Sequence, residues 1–246
     1  MNRKLTIRQS ITAAALAVTA AFGGLAPSAQ AATSAPTTAA APMKYDRLTR
    51  DNAVLLIVDH QVGLYTGVRD IDTAELKHNI VGLAKAAQAL HIPVIVTTTT
   101  EHMWGPMIPE LQQALPGVEH IERTTVNAWD DPRVVAAVKA TGRKKLIITG
   151  VSTDVCLAFP AMSAIKDGYS TYAVIDASGA FTRTQADLGV QRMVQAGVIP
   201  VGYSDVAVEI LGDNTAPEAG AVYGALQLPF AGLVFDLNNY FSSIKK

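Results

Sequence analysis

The segment Val54-Leu55-Leu56-Ile57-Val58 constrains the fold more than any other part of the chain. It is an unbroken apolar run that stops at one carboxylate, Asp59. A strand with water on one face alternates apolar and polar residues, so a continuous run reads as a strand buried on both faces. Such strands belong to parallel sheets covered by helices on each side. The rest of the chain repeats the pattern. Residues 73–90 carry Leu76, Ile80, Leu83, Ala84, Ala87 and Leu90 at helical spacing. Residues 93–97 read as a second strand, 107–114 as a short helix and 118–121 as a third strand. Asp131-Pro132 opens a helix with proline in its first turn, and residues 145–150 form another buried strand. The turn Val151-Ser152-Thr153 leads into a helix over 154–166, stopped by Gly168. A strand over 171–175, a helix over 183–196, a strand over 198–201 and a helix over 205–211 complete the series. This order predicts an α/β fold, a mostly parallel sheet with helices on both faces. The tail after Gly212 is less regular, and its apolar segment 229–237 is expected to pack on the domain or on a neighbouring subunit.

The first 31 residues read as a secretory signal peptide. Arg3 and Lys4 give a positive start, residues 11–22 form an apolar run too short to span a bilayer comfortably, and Ala29-Gln30-Ala31 supplies the small residues of a cleavage site. The competing readings are an uncleaved anchor and a mitochondrial-type presequence. Residues 32–43, rich in Ala, Thr, Ser and Pro, read as a disordered linker. Residues 44–246 then form a single domain with a C-terminal extension, and about 200 residues suffice for one large core. The expected location is the periplasm, with no membrane association after cleavage. The formal net charge is −1 and no basic stripe is present, so nucleic acid is not an expected partner. A small-molecule substrate is.

The chain has one cysteine, Cys156. An exported chain with one cysteine has no internal disulfide to make, so the thiol is an intermolecular bridge, a reactive group or a buried apolar side chain. Asp59 ends the first strand, Arg123 follows the third, and Cys156 lies in the first turn of the helix after the fourth. All three reach the sheet edge where parallel sheets bind ligands. A helix N-terminus lowers a thiol's pKa and offers unpaired N–H groups to an oxyanion. A carboxylate can take the thiol proton, and a cation can hold the carboxylate ionised. Each residue also has a plain structural reading: Asp59 as a helix cap, Arg123 as a surface ion pair, Cys156 as core.

The stretch Ile148-Thr149-Gly150-Val151-Ser152-Thr153-Asp154-Val155-Cys156 resembles the cysteine motif of the isochorismatase-like hydrolases, and residues 54–61 resemble that family's first strand. Asn127-Ala128-Trp129-Asp130, the run from Cys156 to Ala161 and Asp176-Ala177-Ser178-Gly179 are similar to the YcaC-like branch. The resemblance covers roughly residues 45–210. It implies a three-layer α/β/α sandwich, a homo-oligomer and a triad of Asp59 as base, Arg123 as electrostatic partner and Cys156 as nucleophile. Most of the family has lysine at the middle position. Arginine holds its proton far more tightly, so Arg123 is expected to position and stabilise rather than transfer protons. The resemblance also places a cis peptide at Val151–Ser152, with oxyanion donors among the backbone of Val151, Ser152, Val155 and Cys156. Pocket-wall candidates are Gln61, Trp104, Asn127, Trp129 and Phe159, the aromatic ones equally suited to a core or an interface. Metal-binding relatives use an Asp-x-His motif after the second strand. Glu101-His102 stands here instead, so no metal and no cofactor are expected. The expected activity is thioester-forming hydrolysis of a small amide or related C–N bond. The alternatives are vinyl ether hydrolysis and a non-catalytic periplasmic thiol or binding protein.

Overall fold

The computed structural model describes residues 45–244, so the leader and linker readings over residues 1–43 lie outside the described residues. Six strands form one sheet: β1 (Ala53–Val58), β2 (Val94–Thr99), β3 (His120–Arg123), β4 (Lys145–Gly150), β5 (Ser170–Val174) and β6 (Ile199–Val201). Their order is β3-β2-β1-β4-β5-β6, and every pairing is parallel. Around it run α1 (Val62–Tyr65), α2 (Thr73–Ala89), α3 (Glu101–Trp104), α4 (Pro109–Ala114), α5 (Pro132–Ala140), α6 (Ala158–Lys166), α7 (Arg183–Gln195), α8 (Tyr203–Leu211), α9 (Ala219–Leu226) and α10 (Pro229–Ser243).

The unbroken apolar run of β1 is explained by what each face meets. Leu55 and Ile57 enter a core shared with α2, α4, α8 and α9. Val54, Leu56 and Val58 point to the opposite face, into a core shared with α5, α6 and α7. Side chains alternate across a strand, so a central strand between two helix layers has no polar position to spare. The result is a three-layer α/β/α sandwich. Helix starts follow local chemistry. The Asp72 carboxylate accepts hydrogen bonds from Ala74 and Glu75 N–H at the start of α2, and Asp131 accepts one from Arg133 N–H ahead of Pro132.

Because the chain leaves β1 toward β2 and β3, then crosses back to β4, strand order reverses between β1 and β4. The carboxyl ends of these two strands therefore splay their loops apart and leave a crevice. The register pairs Val58 with both Thr97 and Gly150, and Arg123 with Thr99. This brings Asp59, the loop after β4 and Arg123 to one level.

Three readings are corrected. The third strand is His120–Arg123, so Arg123 is its last residue rather than a follower; Val118 N–H is used in a turn to the Leu115 carbonyl. The helix after β4 does not begin as an α-helix. Thr153–Leu157 forms a π-turn, with Leu157 N–H bonded to the Ser152 carbonyl at 3.1 Å, and α6 starts only at Ala158. The tail is regular. In α9, Val222 and Leu226 are fully buried with residues of α2, whereas α10 leaves Phe230, Leu233, Leu237 and Tyr240 exposed instead of packing them on the domain.

Candidate active site

Asp59 leaves β1 with a φ of 58°, a left-handed conformation that aspartate tolerates better than most residues. Its N–H still bonds to the Thr97 carbonyl at 2.9 Å, so the turn is anchored to β2. The carboxylate is fully buried, and Arg123 reaches it from the end of β3, with Nη2 donating to Asp59 Oδ2 at 2.6 Å. Arg123 Nη1 donates to the Thr125 and Val126 carbonyls. A buried guanidinium needs such partners, because an unpaired charge in the interior is strongly unfavourable.

Cys156 arrives from the other side of the crevice. Its π-turn packs against the last residue of β4, where a Cβ on Gly150 would lie 2.8 Å from Leu157 N and 2.9 Å from the Cys156 carbonyl carbon. Only glycine lets the turn sit this close. The Val151–Ser152 peptide is cis, as the resemblance implied. The Asp176–Gly179 stretch braces the turn from behind. Ser178 Oγ accepts from Gly150 N–H at 3.0 Å and donates to the Val174 carbonyl at 2.7 Å, and Thr153 N–H bonds to the Gly179 carbonyl at 2.9 Å.

The thiol therefore lies beside the Asp59 carboxylate. Asp59 Oδ1 makes no other hydrogen bond, which leaves it the open acceptor. The electrostatics differ from the expected lowering of the thiol's pKa. Burial pushes the Cys156 thiol well up, and the Asp59 charge pushes it further; the Ser152 amide and Arg123 oppose this without winning. Burial also raises Asp59, against Arg123, Cys156 and Thr97. The π-turn does not offset the cost of a buried thiolate, so the resting proton is on sulfur and the carboxylate is poised to receive it.

The backbone donors are corrected too. Val151 N–H is spent on the Val58 carbonyl and Val155 N–H on the Ser152 carbonyl, both at 3.3 Å. Of the four backbone positions expected to serve an oxyanion, Val151 and Val155 are thus spent, and the Ser152 amide faces the sulfur.

Cys156 is the floor of a cleft of about 240 Å³. Its walls are Leu64, Trp104, Val126, Val155 and Phe181, with Thr99, Thr100, Thr124 and Ser152 between them. Of the five expected wall residues, only Trp104 is there. Gln61 is buried and acts as a clamp: its amide donates to the Thr99 and Gly105 carbonyls and accepts from Thr99 N–H, tying the end of β2 to the α3 loop. Asn127 caps a short turn by accepting from Trp129 N–H, and it donates to Ser163 Oγ at 3.1 Å. Trp129 is core, its Nε1 donating to Asp167 at 2.9 Å and its ring edge-on to Tyr169. Phe159 packs under the Arg192 guanidinium. Glu101 pairs with His120 at 2.9 Å, and His102 is exposed.

Sequence reasoning passed over His60. Its ring bridges Tyr65 Oη at 2.8 Å and Thr149 Oγ1 at 3.2 Å, stitching β1 to α1 and β4 directly behind Asp59. Burial lowers its pKa to about 3, so it is neutral. Its place next to Asp59 in the sequence was the available signal. Phe181 and the threonines of the cleft carried none.

A parallel α/β sandwich with a buried carboxylate, arginine and thiol at the β1–β4 switch point defines a class of α/β enzymes. A family model described as the isochorismatase domain matches residues 53–204, and the chain belongs to that family. It is 44% identical over 168 residues to "Probable hydrolase YcaC" of Escherichia coli, covering 68% of this chain and 81% of that one. It superposes with a TM-score of 0.75 on YcaC from Pseudomonas aeruginosa with hexane-2,5-diol and covalent acrylamide, at 40% identity over 80% of this chain and 99% of that chain. The E. coli YcaC structure, described as an octameric hydrolase of unknown specificity, gives the same TM-score at 38% identity, again over 80% of this chain and 99% of that one. The chain is a hydrolase of this family.

Proposed function

We propose that the protein hydrolyses a small amide or related C–N substrate through a thioester on Cys156. The observation that carries this reading is the buried thiol beside a carboxylate with one open oxygen, at the floor of a cleft. Asp59 takes the thiol proton as sulfur attacks the carbonyl carbon. The Ser152 amide, which faces the sulfur, is the donor offered to the developing oxyanion. The C–N bond breaks, and Asp59 returns the proton to the leaving nitrogen. Water, deprotonated by Asp59, then attacks the thioester, and the sulfur leaves and regains its proton. The sum is amide plus water giving acid plus amine. Arg123 stays charged throughout and fixes the carboxylate. The covalent acrylamide in the P. aeruginosa relative supports the reading by its chemistry, since acrylamide is both a primary amide and a thiol-reactive electrophile.

Two further features belong to the proposal. The exposed apolar side chains of α10, together with an octameric relative, support a homo-oligomer. Residues 1–31 support export to the periplasm. The test of the chemistry is a panel of small amides, followed by rapid acid quench and intact mass. An acyl mass increment on Cys156, absent from the Cys156→Ala protein, is the expected result. Full turnover by Cys156→Ala would overturn it.

A further inference from the structure

The cleft above Cys156 is built from apolar and neutral groups. Among the described residues, no charged side chain lines it. The cation closest to its floor, Arg123, is 2% exposed, with both terminal nitrogens spent on Asp59 and on the Thr125 and Val126 carbonyls. A ligand carboxylate entering here would lose its water, find no free cation and sit near the Asp59 charge, a combination that is strongly unfavourable in a low-dielectric site. The aromatic walls are seated by close packing. A Cβ on Gly63 would lie 2.4 Å from the Trp104 carbonyl oxygen, and one on Gly67 would lie 2.8 Å from the Phe181 ring. The Trp104 backbone and the Phe181 ring thus each rest against a position that admits no side chain, which helps seat two apolar side chains of the cleft. The hydroxyls of Thr99 and Thr124 supply donors and acceptors without charge. The volume corresponds to about eight waters, which limits the occupant to a few carbon atoms beyond its reacting group.

We infer that the cleft admits small uncharged ligands bearing an apolar group and rejects anionic ones, so that the substrate is a neutral amide with a short aliphatic substituent. This deepens the amidase reading and rests on it for the reaction, although the selectivity can be measured without turnover.

Cys156 is the only cysteine in the chain, so alkylation by a matched pair of reagents, iodoacetamide and iodoacetate, reads this cleft alone. The expected result is a native rate ratio favouring iodoacetamide by at least about tenfold beyond the ratio for the urea-unfolded chain. Butyramide protects the thiol at lower concentration than acetamide or succinamate does. Val126 lies 62% exposed at the rim, so Val126→Lys adds a cation without disturbing the core and narrows the ratio to about threefold or less. Val126→Gln, of similar reach but neutral, leaves the ratio unchanged. A native ratio equal to the unfolded one, or better protection by succinamate, overturns the inference. Selective labelling together with no turnover of any amide would instead sink the amidase reading and leave this one standing.

Discussion

Two recesses open at the carboxyl edge of the same sheet, and they differ in kind. The larger, of about 530 Å³, lies beyond β5 and β6 and is lined by Asp70, Asp72, Glu75, Asp176, Arg183 and Asp187. The smaller lies at the β1–β4 crevice over Cys156. The larger has the volume and the charge. However, three of its acids already have structural work: Asp72 caps α2, Asp70 accepts from Ala180 N–H at 2.6 Å, and Asp176 accepts from Tyr203 N–H at 2.8 Å. The smaller has a thiol and a carboxylate removed from water: burial raises both, and their mutual contact raises Cys156 and lowers Asp59, which keeps the proton on sulfur. On the proposed function, volume and charge do not mark the reactive site in this molecule; a buried pair with one open acceptor does.

The sharpest break between the two recesses comes from removing one reactive atom. On an amide that the wild type turns over, Cys156→Ala lowers kcat/KM by about 10⁴-fold or more, whereas the double change Asp70→Asn, Asp187→Asn stays within about twofold. A comparable loss in both variants would erase the distinction.

Asp59→Asn comes next. It removes the proposed base and leaves Arg123 buried without its counter-charge. Turnover should fall by about 10³-fold, and urea denaturation should show a loss of about 3–5 kcal/mol. Asp176→Asn keeps its acceptor for Tyr203 and should change stability by less than about 1 kcal/mol.

The two regions also respond to pH with opposite signs. His60 behind Asp59 is held neutral, its pKa lowered to about 3 by burial. The unfolded chain takes up this proton near pH 6.5, while the folded chain resists it until about pH 3. Stability from this group is therefore lost as pH falls through that window, by up to about 5 kcal/mol. Asp176 is raised by burial, so its contribution is present at low pH and is lost as pH rises through its folded pKa. Urea midpoints across this range should fall with acidification in the wild type and flatten in His60→Asn.

The smallest effect concerns the clamp. Gln61→Leu frees the Thr99–Gly105 link that places Trp104, and KM should rise by about tenfold with kcat changed by less than about threefold. Steady-state kinetics separates the two.

Most of the fold was legible because strands buried on both faces leave unbroken apolar runs. The β1 and β4 runs, and the Asp72 and Asp131 starts of α2 and α5, needed only local chemistry. Asp59, Arg123 and Cys156 were also legible, because strand ends place residues at one edge whatever their separation in sequence. The π-turn was not. Its extra residue per turn is dictated by Gly150 and by the Ser178 brace behind it, both tertiary contacts. The direction of the thiol's shift was misread for the same reason: a helix-terminus argument counts only the turn, whereas burial in the surrounding core and then the Asp59 charge push the thiol up. The cleft walls were legible least. Asn127, Trp129 and Phe159 carry conspicuous side chains, but these are used in capping, in the core beside α6 and against Arg192. Leu64 reaches the cleft from α1 and Phe181 by packing against Gly67 just beyond it, which no spacing announces.

The central claim is that Asp59 and Cys156 exchange one proton as a pair. The pH dependence of Cys156 alkylation by iodoacetamide tests it directly. If thiol–carboxylate and thiolate–carboxylic acid interconvert within the pair, the wild-type rate is nearly flat between about pH 6 and 8, while Asp59→Asn rises roughly tenfold per pH unit below its thiol pKa. A wild-type rate that climbs as steeply as that of Asp59→Asn would contradict the account.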